Sequence, residues 1–187
     1  MKSVINFLIL LCCVQVNAQK AGLSFRTSVH AGLLEGERGS AFQLQAVHGV
    51  QYKTWSAGVG AGLDYYHTRS IPVFLQVRKA FLDKPQTPFL YINGGYHFPW
   101  LNEEDKNQYG WGNVTSKGGL YYDAGIGYQL PVMKSSVLFF TAGFSQKEFS
   151  LKQSSEVMIT IWPMPRPETK LHEFGLQRLS IQTGLRF

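Results

Sequence analysis

Charge is scarce in this chain. Only 16% of its 187 residues are Asp, Glu, Lys or Arg, against about 25% in a typical soluble domain. Beyond the first residues, no apolar run approaches the roughly 20 residues that a membrane-spanning helix needs. From Ala21 onward no stretch shows the spacing of an amphipathic helix. Helical bundles and helical membrane proteins are thereby left without a basis. The formal charge of +6 is spread out, with no Lys/Arg cluster that would mark a nucleic-acid footprint, so no nucleic-acid partner is expected. Cysteine is limited to Cys12 and Cys13. What remains is aromatic-rich (14%) and glycine-rich (19 residues), which suits a transmembrane β-barrel better than a water-soluble domain.

Residues 1–18 have the grammar of a cleavable signal peptide. Lys2 supplies the positive start, and Val4 to Val14 supplies an apolar core interrupted only by Asn6. Val16 and Ala18 are small residues where a signal peptidase reads, so cleavage is expected after Ala18, leaving Gln19 first. The run is too short to span a bilayer. Leu11 before Cys12 argues against a lipobox, which takes a small residue there. Both cysteines leave with the signal, so disulfides and thiol chemistry drop out. The expected organisation is a signal peptide over 1–18 and one barrel domain over 19–187, with nothing following.

About eight segments alternate apolar and polar residues with the period of a strand. They run over 22–34, 41–52, 55–66, 71–81, 89–98, 118–130, 136–150 and 171–187. The third is the cleanest: Trp55, Ala57, Val59, Ala61, Leu63 and Tyr65 oppose Ser56, Gly58, Gly60, Gly62 and Asp64. The last carries Leu179, Ile181, Thr183, Leu185 and Phe187 on one parity and Ser180, Gln182, Gly184 and Arg186 on the other. Such strands imply an all-β, eight-stranded, antiparallel up-and-down barrel, because closure removes exposed edges.

Connections and faces carry the rest. Long connections are expected only at the fifth (Leu101–Lys117) and the seventh (about Leu151–Lys170), both odd, while the even ones are all short. Outer-membrane barrels pair short periplasmic turns with longer external loops, so these lengths agree with an arrangement that has both termini in the periplasm. A soluble lipocalin-like barrel would point the apolar parity inward. Here the polar parity is rich in Gly and Gln with a few charges of both signs, which suits a filled polar lumen rather than a wetted surface. Arg26, Asp64, Gln76, Arg78, Asn93, Asp123, Gln129, Arg178, Gln182 and Arg186 are the expected lumen network. Buried charges need partners, so Asp64 and Asp123 are expected against Arg26, Arg78 and Arg178. Glycines 58, 60, 62, 125 and 127 are expected to make room for long Arg and Gln side chains. Tyr52, Trp55, Tyr65, Tyr96, Trp100 and Tyr128 sit near segment ends, as interfacial aromatics do.

With the signal, the eight alternating segments and the ending Leu185-Arg186-Phe187, the chain resembles small outer-membrane β-barrel proteins of the OmpX/OmpA type. Arg69–Arg78 also resembles a strand of porin-family barrels. The resemblance implies a bacterial outer-membrane location, outer-membrane lipid as surroundings, and a monomer. It also implies that Leu179, Ile181, Leu185 and Phe187 form a signal read by the barrel assembly machinery, with Thr183 its weaker position.

No cofactor, metal or catalytic residue is expected. Lipid-A-modifying barrels resemble serine hydrolases with a His-x-Ser pair facing lipid. Ser28-Val29-His30 has the reverse order and points inward, so lumen hydrogen bonding is its expected role. His30 and His97 both point inward and lie within possible reach, but two histidines lack a third metal ligand. Glu103, Glu104 and Asp105 read as a solvated loop patch. Tyr109, Trp111 and the Val157–Trp162 run could contact a partner, whose identity the sequence does not specify. The expected function is a non-enzymatic envelope or surface barrel, with a narrow pore or hydrophobic-solute path as the alternative.

Overall fold

The computed structural model of the chain describes residues 22–100, 113–133, 135–155 and 168–187. The leading segment with its expected cleavage at Ala18, the Glu103–Asp105 patch, Tyr109, Trp111 and the Val157–Trp162 run lie outside the described residues.

The described residues form nine strands: β1 Ser24–Gly36, β2 Gly39–Tyr52, β3 Trp55–Asp64, β4 Ser70–Ala80, β5 Thr87–Pro99, β6 Asn113–Lys117, β7 Leu120–Pro131, β8 Val137–Ser155 and β9 Glu168–Arg186. All pairings are antiparallel. Each long strand pairs with its chain neighbours, and β1 closes the ring on β9 from Ser28↔Arg186 to Gly36↔Arg178. The result is an eight-stranded up-and-down barrel to which β6 adds a ninth, short strand. One rim holds the carboxy terminus and the even turns, and is called the terminal rim below. The other, the far rim, holds the odd connections.

Alternation decides which residues face outward and which face the lumen. Along β5 the residues alternate strictly between buried and exposed over Thr87–Gly94. Leu75 (65% exposed) and Ile181 (66%) sit among the outward residues, whereas Arg178 (1%) and Asp123 (0%) point inward. Tyr52, Trp55 and Tyr128 ring the outside near the terminal rim; Tyr65, Tyr96 and Trp100 ring it near the far rim. From Trp55 to Tyr65 the strand rises about 33 Å at roughly 3.3 Å per residue. At a tilt of about 40° that is roughly 25 Å along the barrel axis, the height of the apolar band in outer-membrane barrels.

Two connections differ from expectation. The fifth contains β6, which pairs with Ser150–Ser154 of β8, directly beyond the Tyr121–Pro131 ladder of β7 on the same strand. β6 and β7 are separated only by Gly118 and Gly119, where a Cβ would run into the carbonyl oxygens of His97 and Glu148. Glycine is required there because backbones approach closely. The seventh connection is shorter than expected, since β8 and β9 stay paired as far as Ser155↔Glu168. Lys152-Gln-Ser-Ser155 and Glu168-Thr-Lys170 lack apolar alternation, so nothing in their pattern signals a strand, yet ladder hydrogen bonds continue without it.

β9 therefore rises roughly 30 Å past the end of β1, from Gln177 to Glu168, and with β8 and β6 forms an extension beyond the far rim. Its inner side continues into a cluster of Leu34, Tyr66, Phe149, Leu151 and Leu176, with Phe174 packed on it. Phe149 and Phe174 stack at 4.9 Å.

Candidate functional site

Inward parity from all eight long strands fills the lumen in three decks. The deck below the far rim centres on Asp64, the last residue of β3. Its carboxylate accepts the Tyr66 amide at 2.8 Å, turning the chain inward. It also pairs with Arg178 of β9 and with Lys147 of β8, the latter at 3.2 Å. Lys147 Nζ further donates to the carbonyls of Tyr66 (2.8 Å) and Thr68 (3.2 Å) and to Ser70 Oγ (3.1 Å). Arg178 donates to Ser145 Oγ at 2.7 Å. One carboxylate thus ties two strands on the opposite wall to the β3–β4 turn. Lys147 and Asp64 are 0% and 1% exposed.

Among the described residues, the middle deck holds neutral side chains around Asp123. Tyr121 Oη accepts from Gln45 (2.9 Å) and Gln43 (3.3 Å), and its ring packs 5.7 Å from Phe74. Asp123 accepts from Tyr91 (3.1 Å), Asn93 (3.4 Å) and Gln182 (3.5 Å). Gln182 also donates to Gln43 (3.1 Å) and Ser180 (2.8 Å). Ser28 and His30 bond each other at 2.9 Å, and His30 Nδ1 meets Gln182 Oε1 at 3.3 Å.

The deck near the terminal rim holds Arg26, Arg78 and Arg186. Arg78 and Arg186 both donate to Gln129 Oε1, at 2.5 and 3.0 Å. The Arg78 guanidinium lies 3.3 Å over the Phe89 ring. Gln76 donates to Asn93 at 3.0 Å, linking this deck to the one above.

All ten residues expected in the lumen network lie on the inward parity, but their pairing differs from expectation. Asp64 meets Arg178. Asp123 meets no cation, and Arg26 and Arg78 meet no acid among the described residues. Lys147, Gln43, Gln45, Tyr91, Tyr121 and Ser145 belong to the network too. Each has the inward parity of its strand, which was the available signal; Lys147 passes unnoticed because its segment's outward set alone is plain. The glycines also serve a different purpose. A Cβ on Gly60 would strike the Phe74 ring and one on Gly127 the Phe89 ring, each directly across the ladder. Of the five expected positions only Gly62 gives way to a glutamine, Gln45. Aromatics need a bare neighbouring backbone more than flexible Arg chains do, because a ring cannot fold around a methyl group.

His30 and His97 are not brought together: His97 bonds the Glu148 carbonyl at 2.7 Å near the far rim. Ser28 and His30 face the lumen, and an amide rather than a carboxylate orients the imidazole, so the arrangement has no acid to stabilise an imidazolium. On the outside, His48 bonds Thr27 at 2.8 Å, and Lys79 bonds Thr54 at 2.9 Å with its ammonium 4.5 Å from the Trp55 ring. Leu179, Ile181, Leu185 and Phe187 form an exposed outward row on β9 and its end.

A closed antiparallel eight-stranded barrel with an apolar outside and a polar, packed inside defines the class: the chain has the fold of the small outer-membrane β-barrel proteins. Three solved structures share it. The outer-membrane protein OprG of Pseudomonas aeruginosa matches with a TM-score of 0.63 at 11% identity, over 89% of this chain and 96% of that one. Neisserial surface protein A matches at 0.51 and 12% identity, over 88% and 96%. The amino-terminal barrel domain of Pseudomonas aeruginosa OprF matches at 0.51 and 10% identity, over 87% and 97%. No protein-family model matches the chain, and no curated protein does.

Proposed function

We propose that the chain is a monomeric integral outer-membrane protein, exported by a cleaved signal at Ala18, with its terminal rim in the periplasm. Its barrel is closed to bulk solute, and it acts without catalysis, in envelope structure or at the cell surface through its far-rim extension. The observation that carries this reading is the Asp64–Arg178–Lys147 plug, whose side chains are at most 1% exposed. Opening that plug would strip partners from three buried charges at once, at a cost of several kcal/mol. Refolded protein in planar bilayers is expected to give no ohmic steps; stable steps of appreciable conductance would overturn closure. In assembly, Leu179, Ile181, Leu185 and Phe187 are the proposed contact with the barrel assembly machinery.

A second function is favoured by one feature. A cavity of about 450 Å³ opens at the Gly118–Gly119 break, lined by Lys117, Glu148, Phe149, Ser150, Phe174 and Gly175. It sets the Phe149 and Phe174 rings beside the barrel wall, where a hydrophobic solute on a lateral path would first be held. Uptake of an alkane probe by vesicles carrying the protein, lost on filling the cavity with Gly175→Trp, where a side chain meets nothing within 4 Å, would support this role over a purely structural one.

A further inference from the structure

The deck nearest the terminal rim has a charge pattern that the plug does not share. Arg26, Arg78 and Arg186 line one small cavity together with Ser28, Ser56 and Gln76. Among the described residues the ion pairs of the lumen are those of Asp64, and none reaches these three arginines. Arg78 is 5% exposed, and its guanidinium shares the single Gln129 oxygen with that of Arg186. A neutral amide oxygen therefore occupies the position between two like charges where a carboxylate would ordinarily stand. The Nε atoms of Arg26 and Arg78 are buried and have no hydrogen-bond partner. Buried donors left without partners are rare in folded proteins and mark places where a water or an ion completes the structure.

We propose that Arg26, Arg78 and Arg186 form a binding site for a small inorganic anion of halide size. Charge selects an anion, and space selects its size. The cavity offers about 20 Å³, enough for roughly one water-sized sphere and too little for a whole phosphate or carboxylate. Stacking on Phe89 and, at 5.2 Å, on Phe139 holds Arg78 in place before any ligand arrives, so ordering it adds little entropic cost.

The test uses the full barrel, refolded in zwitterionic detergent, with sodium gluconate exchanged for sodium chloride at constant ionic strength. Chloride-35 NMR line broadening reports bound halide directly. Wild-type protein should show excess broadening that saturates. Gln129→Glu supplies the missing negative charge within the deck and should weaken binding about tenfold, the change expected for one charge-assisted hydrogen bond. Arg26→Gln, at a half-buried position, should act in the same direction and serves if the first variant does not fold. Lys53→Gln, in the exposed terminal-rim turn, should leave the broadening unchanged. Folding of each variant is checked by its heat-dependent shift on SDS gels. Absent or non-saturating broadening in the wild type, broadening retained in both lumen variants, or broadening removed by Lys53→Gln would each overturn the site.

Discussion

Asp64→Asn tests the plug most sharply. The substitution keeps size and one acceptor oxygen but removes the negative charge shared by Arg178 and Lys147. The two cations are not equally exposed to the loss. Lys147 keeps three oxygen acceptors, the carbonyls of Tyr66 and Thr68 and the hydroxyl of Ser70. Arg178 keeps Ser145 Oγ and a 5.4 Å contact with the Tyr66 ring. Breaking a buried pair by removing one partner costs about 3–5 kcal/mol, and most of that cost here falls on Arg178. Asp123→Asn provides the contrast. Its carboxylate receives bonds from the neutral groups of Tyr91, Asn93 and Gln182, so its removal strands no cation and should change stability by no more than about 1 kcal/mol. The assay is urea unfolding of protein inserted in phospholipid vesicles, followed by tryptophan fluorescence and by gel mobility. The reasoning is refuted if the two variants lose equal stability, or if Asp64→Asn unfolds within about 1 kcal/mol of wild type.

Other consequences follow from the same geometry. Gly127→Ala places a methyl group against the Phe89 ring and should cost about 1–3 kcal/mol, whereas Gly94→Ala meets nothing within 4 Å and should be close to neutral; the same urea titration compares them. His67, in the far-rim turn, packs 5.7 Å from Phe149; burial first, then the charges of Arg38 and Lys147, push it down to about 4 from 6.5. An opened turn takes up its proton near 6.5 and the closed turn does not, so the closed form is fully stable above 6.5 and loses stability as pH falls toward 4. An NMR titration of the His67 ring in micelles should show its midpoint near 4, and a midpoint near 6.5 would contradict the packing. Phe187→Ser should reduce the amount of barrel inserted in cells more than it shifts the urea midpoint of protein refolded in vitro; normal insertion would remove the assembly role from Phe187.

Alternation carried most of the fold. A residue's parity along a strand is set by local backbone geometry, so the outward row of Leu179, Ile181 and Leu185 and the inward placement of Arg178, Gln182 and Arg186 were legible one segment at a time. The apolar sequence face turned outward because the other face held charges and glutamines that only a filled lumen could satisfy. Partners are a different matter, because pairing across a lumen depends on stagger between strands far apart in sequence. Asp64 and Arg178 are separated by 114 positions, and no local pattern tells Arg178 apart from Arg78 as its mate. Only the closed ring assigns the acid to the far-rim deck and leaves Arg26, Arg78 and Arg186 together without one among the described residues. The extension from β6, β8 and β9 was hidden for the complementary reason: polar strands held by backbone hydrogen bonds leave no hydrophobic period to read, and they become visible only where a partner strand is seen beside them.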